Sequence, residues 1–266
     1  MLNYFFAQVL KGIETVATKN GYKIITCISN ESLKKEIETI EMLSTGVVDG
    51  FLLSVSEETL LNENYKHLTS CIAKEIPIVM FDRIVSEIDC DKVITNDFMA
   101  TLNAVNYLKS KGFKKIAFVG TNMELSIGKS SYEGYLAGLK RNNLKKDESL
   151  ILTTHEMYYK NHKEIVEPLF DYSFDSLIAS NESVAIAAMK IAQEKGKIIP
   201  KDLSVLAFSN GILARHSNPR LSTISRHGEI IGEKSATLLI DKLENKITNT
   251  TSITVDTDIV LRDSLK

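Results

Sequence analysis

The chain has 266 residues, 44% hydrophobic and 25% charged, with a formal net charge of −2. That length suffices for one large domain or two small ones, and the near-neutral balance argues against a nucleic-acid surface spread over the whole fold, since phosphate binding needs concentrated Lys and Arg. No apolar run approaches the ~18 residues a membrane span needs.

In chain order, Phe5, Val9, Ile13 and Val16 recur at helical spacing, so the chain opens directly in a helix. A strand over Tyr22–Ile28 follows, then a helix over Glu31–Leu43 and a strand over Val47–Ser54. Ser56, with Glu57 and Glu58 behind it, caps the next helix. Ile76–Phe81 and Lys92–Thr95 read as strands. The pattern then restarts with a helix near Phe98–Ser110, strand Lys115–Gly120, helix Tyr132–Asn142, strand Leu150–Thr153 and helix Lys163–Phe170. Strand Ser176–Ser180 runs into a helix over Val184–Glu194 capped by Asn181. Strand Leu203–Phe208 leads to an irregular stretch, Ser209–His227, then helix Glu229–Leu243 and a final strand within Ile253–Leu261.

Three of these helices stop at a glycine that gives way to an apolar segment: Asn20-Gly21-Tyr22, Lys111-Gly112-Phe113 and Lys195-Gly196-Lys197. Glycine just past a helix end adopts the left-handed conformation without a Cβ penalty. The strands that follow are continuous apolar runs, which suits a parallel sheet clad by helices on both faces. Repetition of the unit predicts an open α/β architecture whose ligands bind at the carboxyl ends of the strands. Two successive βα series meet near Thr95–Phe98 without a Gly/Ser-rich linker, which predicts two lobes joined by short crossovers. The first series opens with its helix and lacks a strand ahead of it.

Enzymatic signatures are incomplete. Gly128-Lys129-Ser130 resembles the tail of a phosphate loop, but Met123 stands where that loop needs glycine. His155-Glu156 would need a histidine at Tyr159 to make a zinc helix. Neither a nucleophile elbow nor a dinucleotide fingerprint is present. A binding protein with no catalytic residues, no metal and no cofactor is expected. Cys27, Cys71 and Cys90 are an odd number without paired spacing, and no secretion signal opens the chain; reduced thiols in a cytoplasmic protein are expected.

Several motifs stand in one order: Phe5-Phe6-Ala7 with Gly12-Ile13-Glu14, Val48-Asp49-Gly50, Pro77 through Arg83, Gly120 with Glu133-Gly134-Tyr135, Ile199 through Leu203, Pro219 through Ile224, and the closing Val260 through Ser264. Over essentially its whole length the chain thereby resembles bacterial regulators of the LacI/GalR type. The resemblance implies their effector-binding core: an α/β fold of two doubly wound parallel-sheet lobes, periplasmic binding protein-like type I, with the amino-terminal lobe lacking its first strand. It implies lobes of 1–95 plus 227–253 and 96–226 plus 254–266. A small effector, a sugar or another polar metabolite, would close the cleft between lobes and alter operator affinity. A homodimer is implied, with the amino-terminal helix and the helix from Glu57 at its face. Operator DNA would be reached only through a helix-turn-helix that this chain lacks. A periplasmic sugar-binding protein of a transport system is the alternative.

Under this resemblance Phe5 is either a pocket aromatic or core. Asp82 and Arg83, which end a strand, contact ligand or brace their loop, and Ser126 and Tyr158 lie in ligand loops. Asn181 is a polar candidate that also caps its helix. Where sugar-binding members of the family carry an Arg and an Asp, this chain has Ser131 and Ser209, followed by Asn210. Two serines do not reproduce an arginine–carboxylate frame.

Overall fold

The computed structural model describes residues 4–153 and 162–266. Its helices of the first half are α1 (Tyr4–Lys19), α2 (Leu33–Leu43), α3 (Glu57–Leu61), α4 (Lys66–Ala73) and α5 (Asp97–Ser110), interleaved with strands β1 (Phe51–Leu53), β2 (Ile78–Phe81) and β3 (Asp91–Thr95). There follow β4 (Ile116–Gly120), α6 (Ser126–Arg141), β5 (Ile151–Thr153), α7 (His162–Val166), β6 (Ser176–Ala179), α8 (Glu182–Glu194), β7 (Ser204–Phe208), α9 (Ile212–His216), β8 (Ser222–Ser225), α10 (Gly228–Leu243), β9 (Ser252–Val255) and β10 (Asp258–Val260). The chain divides into two compact units, residues 1–95 with 227–255 and residues 96–226 with 256–266.

The first unit holds a parallel sheet in the order β1-β2-β3-β9. β9 pairs with β3 as far as Thr95↔Val255, which keeps residues through Val255 in this unit. Alternate residues of β2 enter opposite cores. Val79 and Phe81 pack with Phe5, Val9 and Ile231, whereas Ile78 and Met80 pack with Ile40, Leu68 and Cys71. A strand buried on both faces must be apolar throughout, which is why Ile78–Phe81 reads as an unbroken run. Helices α1 and α10 cross at glycines. A Cβ on Gly12 would lie 2.1 Å from the Glu229 carbonyl oxygen, and one on Gly232 would lie 2.0 Å from that of Val9.

The second unit has a sheet in the order β10-β8-β7-β6-β4-β5. It is parallel except for β10, which runs antiparallel to β8 through Ile259↔Ile224. Ala117 and Val119 of β4 face one core with Leu177 and Val205, while Ile116 and Phe118 face the other with Tyr135 and Leu206. Burying each such aliphatic side chain contributes about 1.5–3 kcal/mol.

The three helix-ending glycines behave as their sequence requires, with φ of 81°, 92° and 76° at Gly21, Gly112 and Gly196. Each is followed by an amide that reaches back five residues: Tyr22 N to Ala17 O at 2.9 Å, Phe113 N to Leu108 O at 3.2 Å, and Lys197 N to Ala192 O at 2.9 Å.

Four expectations are corrected. Residues 22–28 form no strand, and Ile24, Ile25 and Ile28 are 36%, 55% and 55% exposed. Just past this segment Glu58 N of α3 donates to Glu31 O, yet among the described residues no backbone hydrogen bond joins 23–28 to the sheet. Apolar β-branched composition cannot make a strand without a neighbour to take its N–H and C=O groups. Second, the stretch Ser209–His227 contains α9 and β8. β8 is Ser-Thr-Ile-Ser, fully polar but for one residue yet wholly buried, so its composition hides it. Third, the closing strand is two strands, β9 and β10, in different units. Fourth, the helix expected from Tyr132 starts at Ser126. No helix among the described residues is long and apolar enough to cross a membrane.

Candidate functional site

In the second unit β4, β6, β7 and β8 are consecutive parallel neighbours apart from order in sequence, so their carboxyl ends share one edge of the sheet. This edge gathers Ser126, Asn181, Ser209 and Asn210. Beyond β4 the chain turns through Asn122, a residue only 3% exposed whose Oδ1 accepts from Glu124 N at 2.9 Å. α6 then begins with Ser126, which is exposed. Gly128 lies where a Cβ would stand 2.0 Å from the Asn122 carbonyl oxygen. Glycine there lets the helix back onto the loop, so Gly128-Lys129-Ser130 is first-turn helix and forms no phosphate cradle. Ser131, further along α6, is buried.

At the end of β6, Asn181 caps α8 by accepting from Val184 N at 2.9 Å. Glu182 follows and is 5% exposed. Its Oε1 accepts from Ser209 Oγ at 3.4 Å and from Gly211 N. Ser209 itself has φ of 90°, an unusual conformation for a residue with a side chain, held by its own amide donating to Ile224 O at 3.1 Å. The Asn210 side chain is engaged: its Oδ1 accepts from Arg262 Nη2 and from Thr223 Oγ1. Burial first, and then the charge of Arg215, lowers the affinity of Arg262 for its proton below the ordinary guanidinium range. Past β8, Arg226 pairs with Asp97 and lies over the Phe208 ring at 5.0 Å.

In the first unit, Asp82 and Arg83 follow β2. Asp82 has φ of 60° and donates its amide to Val93 O at 3.2 Å. Arg83 is 9% exposed, and its two terminal nitrogens each meet a Glu31 carboxylate oxygen at 2.8 Å. That pair braces the loop. Phe5 lies in the core of this unit, its ring 5.4 Å from that of Phe6. Tyr158, with His155 and Tyr159, lies outside the described residues. Among the described residues no group of three or more His, Cys, Asp or Glu side chains is placed to hold a metal.

Glu182 and Asp97 stand at strand ends that local sequence marks, whereas the role of Arg262 has no local signal, because its partner Asn210 is 52 residues away. The pairing of Asp97 with Arg226 likewise spans 129 residues.

A sequence profile described as "Periplasmic binding protein-like domain" matches residues 105–265. The ribose operon repressor of Haemophilus influenzae is 25% identical over 264 residues, 99% of this chain and 78% of that protein. The HTH-type transcriptional repressor PurR of Yersinia enterocolitica is 28% identical, covering 98% of this chain and 76% of that protein. Among solved structures, transcription regulator CcpA of Lactococcus lactis superposes with a TM-score of 0.88 at 22% identity, over 99% of this chain and 95% of that one. A LacI family transcriptional regulator of Enterococcus faecium with bound ribose has a TM-score of 0.83 at 25% identity, over 99% of this chain and 94% of that one. The profile spans more than half of the sequence and the likeness to LacI-type repressors runs from end to end, so this chain belongs to the periplasmic binding protein-like domain family, in its LacI-type form.

Proposed function

We propose that the chain is the effector-sensing and dimerising core of a LacI/GalR-type transcription regulator, in which a small polar effector bound at the carboxyl ends of the strands changes operator affinity. The observation that carries this reading is the end-to-end similarity to curated repressors, 98–99% of the chain in the comparisons above. A transport binding protein is the weaker alternative, because those relatives are repressors. The regulator works as a two-fold dimer in the cytoplasm, where its DNA lies. Asn181, Ser126 and Ser209 of the second unit are its proposed effector contacts. The polar setting of the second unit's strand ends, with Glu182, Arg226 and Arg262 near Ser209 and Asn210, supports a hydroxyl-rich effector such as a sugar.

A thermal-shift screen of neutral sugars, sugar phosphates, purines, nucleosides and amino acids tests this reading. An effector at 100 times its dissociation constant stabilises the chain by about 2.7 kcal/mol. A screen in which only transported solutes of other classes shift the melt, or none does, contradicts it.

A further inference from the structure

The carboxylate of Glu182 is held in an unusual way. It is 5% exposed, stands at the sheet edge between Asn181 of one strand end and Ser209 of the next, and uses a single oxygen for its internal hydrogen bonds. Oε1 takes both Ser209 Oγ and Gly211 N. Oε2 takes no hydrogen bond from the described residues and is not sealed from solvent. An ionised carboxylate offers about four lone-pair sites, so half of this acceptor is fixed in place and half remains to be used. Glu182 is the first residue of the 13-residue helix α8.

We infer that Glu182 is a specificity-determining residue that accepts a hydroxyl of a neutral polyhydroxy effector on Oε2. This rests on the reading that a small effector binds at these strand ends. The charge arrangement selects the ligand class. A phosphate or carboxylate placed here would meet Glu182 head-on. A cation would meet Arg262, whose charge Glu182 already partly compensates. A neutral hydroxyl meets neither objection, and a charge-assisted O–H···O⁻ bond is stronger than one between neutral groups. Ser209, whose hydroxyl already donates to Oε1, keeps its own oxygen as a second acceptor on the same side. A carboxylate from the β6 end thus serves the position where the β7 end has only a serine.

The test is calorimetric titration of the full chain with D-ribose, D-xylulose, D-glucose and cellobiose, followed by Glu182→Gln. The glutamine keeps the shape and the Gly211 contact and loses the charge. For whichever sugar binds, Glu182→Gln is expected to weaken binding roughly 10- to 100-fold. The monodeoxy forms of that sugar, titrated against the unmodified chain, are expected to include one that loses at least about tenfold and that Glu182→Gln no longer distinguishes from the parent. The deoxy series needs no variant to fold. Sugar binding that Glu182→Gln leaves unchanged, or deoxy forms that all bind as well as the parent, overturns the role of Glu182 while leaving the effector-sensing reading intact. No binding of any neutral sugar by the unmodified chain overturns the inference together with a sugar-sensing reading.

Discussion

Arg226 donates to Asp97 across 2.5 Å, joining the last residue before the chain leaves the second unit to the first helical residue after it enters. Both side chains are largely buried, at 17% and 6% exposed, and the guanidinium is stacked on Phe208 of β7. Removing one member of such a pair strands the other charge. Asp97→Ala is therefore expected to destabilise the second unit by about 3 kcal/mol, and Asp97→Asn by less, because the amide oxygen still accepts. Urea unfolding followed by circular dichroism checks this; a loss below about 0.5 kcal/mol, the scale of an ordinary surface substitution, would place the pair among surface contacts.

A buried carboxylate organises the first unit in a similar way. Glu36, 3% exposed on α2, accepts from Ser56 N at 2.7 Å, Thr59 Oγ1 at 2.7 Å and His67 Nε2 at 3.0 Å. It ties α2 to the cap of α3 and to α4. Glu36→Ala leaves those donors buried without an acceptor and is expected to cost about 3 kcal/mol. Glu36→Gln is expected to recover part of that loss in the same unfolding measurement.

The crossing of α1 and α10 depends on the absence of two side chains. With a Cβ at 2.0–2.1 Å from a backbone oxygen, Gly12→Ala and Gly232→Ala each force the helices apart. Each is expected to lower stability by about 3 kcal/mol, the upper end for overpacking, because the obstructing atoms are backbone and have no other rotamer. Gly46→Ala, where nothing lies within 4 Å, gives a control for the strain of φ 94° alone.

The three thiols separate by environment. Cys27 is exposed on the unpaired segment, while Cys71 and Cys90 are buried. A disulfide reagent at neutral pH is expected to titrate one thiol rapidly and the other two only in denaturant. Burial pushes the Cys71 and Cys90 thiols above the usual thiol range. The folded chain then holds protons that the unfolded chain releases from about pH 8.5. Stability from these groups is fully present below that pH and declines as pH rises toward the folded values. Melting temperatures between pH 7.5 and 10 are expected to fall, and to fall less in Cys90→Ala; equal slopes would contradict the burial.

Much of the fold is legible in the residues because it rests on local chemistry. The runs Ile116–Gly120 and Val205–Phe208 are apolar throughout, since both faces of the sheet are covered, and the glycines at 21, 112 and 196 mark helix ends through a backbone conformation that a side chain would strain. The failures are equally physical. Residues 22–28 have strand composition but no pairing partner, and strandedness is a property of two segments. β8 is buried as Ser222, Thr223, Ile224 and Ser225, its hydroxyls satisfied by distant groups such as Arg262, whose amide donates to Ser222 Oγ at 2.8 Å. Asn181 could be read at the site because it doubles as a cap with a local signature, whereas the Arg262–Asn210 contact joins ends of the chain that no local pattern links.

The central claim, that a small effector binds at the carboxyl ends of the second unit's strands, is tested most directly by amide hydrogen exchange with the strongest effector from the thermal-shift screen. Slowed exchange concentrated at residues 121–131, 180–184 and 209–211 is the predicted result. Binding that leaves those segments unchanged and protects only helix surfaces such as α2 or α9 would contradict it.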